Sequence, residues 1–595
     1  MKLSDYVARF ISNLGVRHVF MLPGGGSMHL VDSIGHCENL EYVCTLHEQA
    51  CAVAAEAYAR VGDNLGVALV TTGPGGTNAI TGVAAAWLDS TACLFISGQV
   101  KRPDLMQGLG VRQHGLQEID IVSIVKPITK YAVTITEPRL IRYHLEKAVH
   151  LARSERKGPV WIDIPLDVQA ATINPDELER FRPAAVEQPA DLKEKIGEAI
   201  QLLNESVRPV ILAGNGVRLA GAKNELLKLV ELLEIPILTT RLGVDLVSSS
   251  HELNMGMPGS IAARSANFTL QNSDYLLVIG ARLDMSLTAY GHDKFARSAK
   301  KVMVNIDPAE IAKMRTQIHV PVCADAKSFI DEFLEQKAQL QKVDRGDWIR
   351  RCNGWRQKYP FVLEEHRTRS EISMYFFSEV LCDQLCAEDV ILPGSSGFAC
   401  EIFLTAFKVK NGQRVFHNKG TGAMGLSQPA AIGACLGSGL RRTISVDGDG
   451  GFQMNIQELE TIRRLNLPVK FFVINNNGYA SIRSSQSGYF GRLTGADPSS
   501  GQTFPDVVKV ADAYGINTAR ISHPLKLRDQ IREVLDFNGP IVCEVSVIAD
   551  EPRQPRVASF QKPDGSMISK PLEDMWPFLD REEFHSNMIV PPVED

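Results

Sequence analysis

"RTISVDGDGGFQMNIQELETIRRLNLPVKFFVINNNGY", residues 442–479, decides the fold. "RTISV" is a short β-branched run, and "DGDGG" is the turn at its end. "MNIQELETIRRLN" carries Ile456, Leu459 and Ile462 at helical spacing, and "VKFFVI" is a second apolar run that stops at "NNNGY". A strand, a helix and a strand in that order return the chain parallel to itself. The two turns then meet at one edge of a sheet, where open α/β sheets hold their ligands. Asp449 and Asn476 become neighbours there. A carboxylate oxygen and an amide oxygen are hard donors that suit Mg²⁺, and diphosphate oxygens complete the octahedron that ion prefers. Gly450 and Gly451 leave room for backbone N–H groups to approach phosphate at a helix start. A single Asp in a glycine turn would be an ordinary turn former. Three asparagines one crossover later make the metal reading the stronger one.

The same grammar recurs on both sides of the chain's middle. "RHVFML" ends in "PGGG", "EYVCTL" runs into "HEQACAVAAEAYARVG", and "LGVALVTT" ends in "GPGGTN". A proline- and charge-rich linker, "NPDELERFRPAAVEQPADLKEK", precedes "RPVILAGNGVR", "SDYLLVIGARLD" and "KKVMVNIDPAEI". Apolar runs that alternate with helical patterns and break at glycine or aspartate predict parallel sheets covered by helices. The expected fold is therefore α/β, with three doubly wound parallel-sheet units at 1–175, 190–340 and 372–548. Residues 549–595 read as an irregular, proline-rich C-terminal arm. Its Met575, Trp576 and Phe578 are expected to pack over something else.

At 595 residues the chain exceeds a single core. A net charge of -6 gives no reason to expect nucleic acid or an anionic membrane as partner. No apolar run approaches the roughly 20 residues of a membrane helix. The start, "MKLSDYVARFISNLG", lacks a signal-peptide core. Eleven cysteines without paired spacing suit a reducing compartment. A cytoplasmic location is expected.

"GDG" followed by "NN" one crossover later resembles the thiamin-diphosphate motif. Over nearly its whole length the chain resembles the acetolactate synthase (acetohydroxyacid synthase) branch of thiamin-diphosphate enzymes. That resemblance implies pyrimidine-binding, central and diphosphate-binding domains in that order. It implies Asp449, Asn476 and the carbonyl of Gly478 as Mg²⁺ ligands, with Ser395 and Ser396 of "PGSSGF" as hydroxyl donors to diphosphate. Glu48 matches the family's acid at the aminopyrimidine ring nitrogen, with Pro74 and Asn78 on the same side. Met424 of "GTGAMG" matches the apolar wedge that keeps the coenzyme bent, and the Gly422 carbonyl matches the acceptor for its amino group. In this family the acid serves coenzyme held by the other subunit, so a homodimer or homotetramer with active sites at the subunit interface is implied. The glycine- and acid-ended strands of the central unit resemble the family's FAD-binding domain, in which the flavin is largely structural. Gly214, Gly216, Arg218, Arg282, Asp307 and Asp325 carry that likeness.

The implied reaction is decarboxylation of a 2-oxo acid, pyruvate, with transfer of a two-carbon hydroxyethyl/acetyl unit to a carbonyl acceptor. Gln117 matches an active-site glutamine of the family, and Lys130 also fits its pattern. Two departures concern the acceptor. Ser286 in "GARLDMS" stands where the family usually has a second arginine, and "GYASIRSSQSGYFGRLTG" lacks the usual tryptophan. Arg483, Gln486, Arg112 and His114 are candidates to meet a larger, polar acceptor. The alternative acceptor is a nucleotide-linked keto sugar, as in branched-sugar biosynthesis. A reading of another class, a non-catalytic flavoprotein or regulatory subunit, is weakened by the presence of Glu48, Asp449 and Asn476 together.

Overall fold

The computed structural model describes residues 1–62, 64–106, 108–184, 189–395, 397–561, 565 and 567–593. The opening stretch forms the expected unit. Strand Thr443–Gly448 lies parallel to Val469–Asn475, with Gly448 opposite Ile474, so the two turns leave the sheet side by side. The helix between them is shorter than its periodicity suggests: one turn, Asp449–Phe452, then Glu458–Arg464. Asn455, at φ 126°, interrupts it. Its side-chain amide donates to Gln49 Oε1 and to the Gly425 carbonyl, both at 2.7 Å, and these bonds replace helical continuation.

Three larger sheets are each wholly parallel. The first, with strands from 18 to 165, runs in the order Glu41–Cys44, His18–Met21, Gly66–Val70, Cys93–Gln99, Pro159–Pro165 and Tyr131–Thr134. The second, from 209 to 323, has five strands with Tyr275–Ile279 at its centre. The third, from 390 to 546, has six, with Thr443–Gly448 and Val469–Asn475 innermost. Central strands such as Cys93–Gln99 and Pro209–Ala213 are buried along their whole length, as helices on both faces require.

Two helices bind the first and third units together. Glu48–Gly62 ("EQACAVAAEAYARVG") and Ser427–Gly437 ("SQPAAIGACLG") carry few large side chains, so their backbones come close. A Cβ on Gly433 would stand 1.9 Å from the Ala54 carbonyl oxygen, and one on Gly437 would stand 2.8 Å from that of Tyr58. Beside this crossing, buried Arg60 donates to Asp89 at 2.6 Å, to the His417 carbonyl at 2.9 Å, and to Glu56. The arm packs on the central unit, where Leu572 and Phe584 share a core with Phe268, Trp348 and Trp355. Met575 is buried, but Phe578 remains 43% exposed, so only part of the expected apolar cover is used. The arm is also less irregular than its composition suggests. It contains the antiparallel pairs Arg556–Val557 with Met575–Trp576 and Ser559–Gln561 with Met567–Ser569, and helix Arg581–Asn587.

Gly433→Ala should destabilise the protein by about 1–3 kcal/mol through this backbone collision, seen as a fall in Tm. Gly354→Ala, at a helical position whose added Cβ would meet nothing within 4 Å, should raise stability by about 1 kcal/mol.

Candidate active site

Asp449 bridges the two turns directly. Its Oδ1 accepts the Gly450 N–H at 2.8 Å, and its Oδ2 accepts the Gly478 N–H at 3.1 Å. Burial pushes its pKa up to about 6, against the pull of these N–H groups and of Arg483. Asn476 Oδ1 is buried with no hydrogen-bond partner in the structure. An orphaned buried acceptor costs about 1–3 kcal/mol, and a divalent cation beside Asp449 would satisfy it. Gly478 sits at φ 132°, where a Cβ would stand 2.5 Å from the Ala496 carbonyl oxygen. Its own carbonyl accepts the Ala480 N–H at 3.2 Å and keeps a second lone pair. These donors, one carboxylate, one amide and one carbonyl, fit Mg²⁺. Among the described residues no group of three or more His, Cys, Asp or Glu side chains could hold a metal.

Gly450 and Gly451 have a different steric reason from the one expected. A Cβ on Gly450 would stand 2.4 Å from Tyr479 Cε1, and one on Gly451 would stand 2.8 Å from Asp447 Oδ1. The protein's own groups fill the space these glycines leave. Asp447, which the sequence reading passed over, accepts Ser427 Oγ–H at 2.5 Å and the Gly448 N–H at 2.9 Å. Burial pushes its pKa up to about 6. The doubled "DGDG" was the available signal.

Arg483 does not face an acceptor. It is buried and donates to the carbonyls of Asn476 (2.9 Å), Asn477 (3.0 Å) and Ala549 (2.8 Å), while pairing with Asp550 at 3.0 Å. It clamps the asparagine turn from behind. Gln486 is likewise a loop staple, donating to the Thr494 carbonyl at 3.1 Å and accepting the Thr494 N–H at 2.8 Å. Lys130 is structural too, its Nζ donating to the Ser154 carbonyl at 2.7 Å.

A second cluster forms at the edge of the first sheet. Glu48 is buried in the first turn of its helix, and its Oε2 accepts Asn78 Nδ2–H at 2.9 Å. Pro74 opens the helix Pro74–Leu88, and Gly75 faces Glu48 Oε1. Gly73, at φ 65°, allows the Gln117 carbonyl to approach where a Cβ would be only 2.2 Å away. The loop around Gln117 therefore joins Pro74 and Asn78, while Arg112 and His114 are exposed farther along it. The Gly422–Gly425 loop of the third unit adjoins Ser395, whose carbonyl lies 4.0 Å from a Cβ built on Gly422. Ser396 lies outside the described residues. Gly422 (φ 58°) and Gly425 (φ 82°) flank Met424, which is 38% exposed. Asn455 ties the clusters together through Gln49, next to Glu48, and Gly425, next to Met424.

The central unit holds a cavity of about 520 Å³ against the first unit, lined in part by Gly216, Arg282 and Asp325. Gly214 packs on Gly280, whose carbonyl oxygen would be 2.3 Å from a Cβ there. Arg218 does not line the cavity: it pairs with buried Asp245 at 2.7 Å, which Arg414 also meets at 2.8 Å. Asp307 pairs with Arg156, a lining residue, at 2.7 Å, and caps Pro308–Ala312. Asp325 accepts the Lys327 and Ser328 N–H groups as the cap of Ala326–Glu335. At the end nearest Met424, Lys419 pairs with Asp284, whose pKa it holds well below the usual range against burial. Ser286 Oγ donates to Asp284 at 2.6 Å.

Residues 1–124 match the N-terminal TPP binding domain of thiamine pyrophosphate enzymes, 196–333 the central domain, and 396–545 the C-terminal TPP binding domain. A probable acetolactate synthase large subunit of Methanocaldococcus jannaschii is 32% identical, over 92% of each chain. The acetolactate synthase large subunit of Lactococcus lactis is 32% identical over 92% of this chain and 93% of its own. The chloroplastic acetolactate synthase 3 of Brassica napus is 33% identical over 91% and 83%. The chain belongs to the thiamine pyrophosphate enzyme family, in its acetolactate-synthase-like branch. It is a thiamin-diphosphate-dependent carboligase acting on small molecules, which sets aside the reading as a non-catalytic subunit.

Asn476→Ala removes an acceptor that has no protein partner. Cation-free stability should stay level or rise by up to about 1–3 kcal/mol, while Mg²⁺-dependent coenzyme binding weakens. Thermal melts with and without Mg²⁺ and thiamin diphosphate check both halves.

Proposed function

We propose that this enzyme decarboxylates pyruvate and joins the remaining two-carbon unit to a carbonyl acceptor. The bond between the carboxylate and the keto carbon of pyruvate breaks and CO₂ leaves. A new C–C bond joins that keto carbon to the acceptor carbonyl carbon, whose oxygen takes up the proton. Bound thiamin diphosphate supplies the electron sink for this chemistry. The observation that carries the proposal is the unpartnered Asn476 oxygen, buried one crossover from Asp449. Asp449, Asn476 and Gly478 would hold Mg²⁺, and Ser395 with the Gly451 backbone would orient the diphosphate, the Gly450 N–H being taken by Asp449. Glu48, steadied by Asn78, would share a proton with the pyrimidine ring nitrogen, and the Gly422 carbonyl would accept from its amino group. Met424, exposed between two left-handed glycines, would be the wedge, and Gln117 and Pro74 would line the pyrimidine side with Glu48.

The reading includes FAD as a structural occupant of the central cavity, with Gly216, Arg282 and Asp325 in its wall. It includes a homodimer or homotetramer with active sites at the subunit interface, where Glu48 would serve coenzyme held by the other subunit. Cytoplasmic residence is supported by eleven free cysteines, and no described helix is long and apolar enough to cross a membrane. For the acceptor, one observation favours the keto-sugar nucleotide over a second 2-oxo acid. Ser286 stands where a carboxylate-binding arginine is expected, and the nearby Lys419 is already neutralised by Asp284.

Incubation with pyruvate, Mg²⁺ and thiamin diphosphate should release CO₂, and its absence with every class of acceptor would overturn the proposal. Glu48→Gln should lower the rate by roughly 10²–10⁴-fold while coenzyme remains bound, as read by calorimetry.

A further inference from the structure

We propose that a cleft beyond the coenzyme site binds the nucleoside diphosphate portion of the acceptor. The proposal rests on the keto-sugar-nucleotide reading above. The cleft encloses about 480 Å³ between the segment 288–294, the C-terminal end of helix Ala480–Phe490 and the arm hairpin Ser559–Gln561/Met567–Ser569. That volume suits a nucleotide-sized ligand and far exceeds what a second pyruvate needs.

Its wall has the chemistry of both halves of such a ligand. Tyr290 and Tyr489, 63% and 56% exposed, present aromatic faces on which a base can stack. Lys294 supplies positive charge for a diphosphate, with Asp293 also in the wall, whereas Lys570 is paired with Asp574 at 3.9 Å. Lys294 donates to the Ser569 carbonyl at 3.2 Å, one of the three N–H bonds an ammonium offers. Tyr290 (φ 65°) and Ala289 (φ 49°) are consecutive non-glycine residues in the left-handed region. Such strain persists where surrounding structure enforces a functional shape.

Two stretches of chain lead from the reacting end to this cleft. Helix Ala480–Phe490 begins beside Asn476 and Gly478 in the chain and carries it about 14 Å from Ala480 to Tyr489. The segment beginning at Asp284, paired with Lys419 near the Gly422–Met424 loop, passes Ser286 and reaches Tyr290 six residues on. An extended sugar nucleotide spans the same two ends, with its keto carbon at the coenzyme and its base between the tyrosines.

Calorimetric titration of the holoenzyme with UDP, CDP, dTDP and GDP reads the cleft without turnover. At least one should bind, and Tyr489→Ala and Lys294→Gln should each weaken it roughly ten-fold or more. No binding, or binding that neither variant changes, overturns the cleft. Turnover of pyruvate with the corresponding nucleoside-diphosphate 4-keto sugars forms the second arm. There both variants should raise the acceptor KM by a similar factor, leave kcat level, and leave turnover with acetaldehyde unchanged. Turnover with a KM indifferent to Tyr489 and Lys294 overturns the cleft but keeps the acceptor reading. Binding that the variants weaken, without turnover of any keto-sugar nucleotide, overturns the acceptor role and leaves free nucleoside diphosphate as the ligand.

Discussion

The close crossing of Glu48–Gly62 over Ser427–Gly437 is the constraint on which the rest depends. Glu48 opens one helix, and the other follows the loop that carries Met424. Any side chain at Gly433 would separate the backbones, so alanine and glycine here set the distance between the first and third sheets. Nearby polar groups are arranged around that fixed distance. Glu458 accepts the Leu46 N–H at 2.9 Å, and Arg60 draws the His417 carbonyl towards the first unit. The relative position of the first and third units is thus set by helix packing before any ligand arrives.

The two turns enclose two carboxylates and an amide oxygen without a hydrogen-bond partner. Asp447 and Asp449 are both buried, and burial raises both pKa values. Left alone, two acids and an unpartnered amide oxygen are an unfavourable group to enclose. A divalent cation reverses that sign, because it repays desolvated oxygens that water cannot reach. Arg483 makes the arrangement rigid, since it holds the Asn476 and Asn477 carbonyls of the turn together with that of Ala549.

Much of this was legible from local pattern. Strand ends at glycine and aspartate, the helix at 48–62 and the meeting of Asp449 with Asn476 follow from periodicity and crossover geometry. What escaped the reading depends on partners remote in sequence. Arg218 reads as a cavity residue beside "AGNG" until Asp245 and Arg414 are seen around it. Arg483 and Gln486 look free on an exposed-looking helix until the carbonyls behind them are placed. Asp307 and Asp325 are a different case. Each precedes a short helix as an N-cap, and that local signal was available in "DPAEI" and "DAKSF". The arm's order was hidden because proline-rich composition obscures short antiparallel pairs.

The Lys419–Asp284 pair has a consequence for communication within the molecule. Both partners belong to the wall of the central cavity, and Lys419 stands just ahead of the loop that carries Met424. An occupant of the cavity that prefers one geometry of this pair favours the matching geometry of that loop. By thermodynamic reciprocity, whatever fastens the loop favours that occupant to the same degree. Whatever occupies the cavity can in this way bias the loop without touching it.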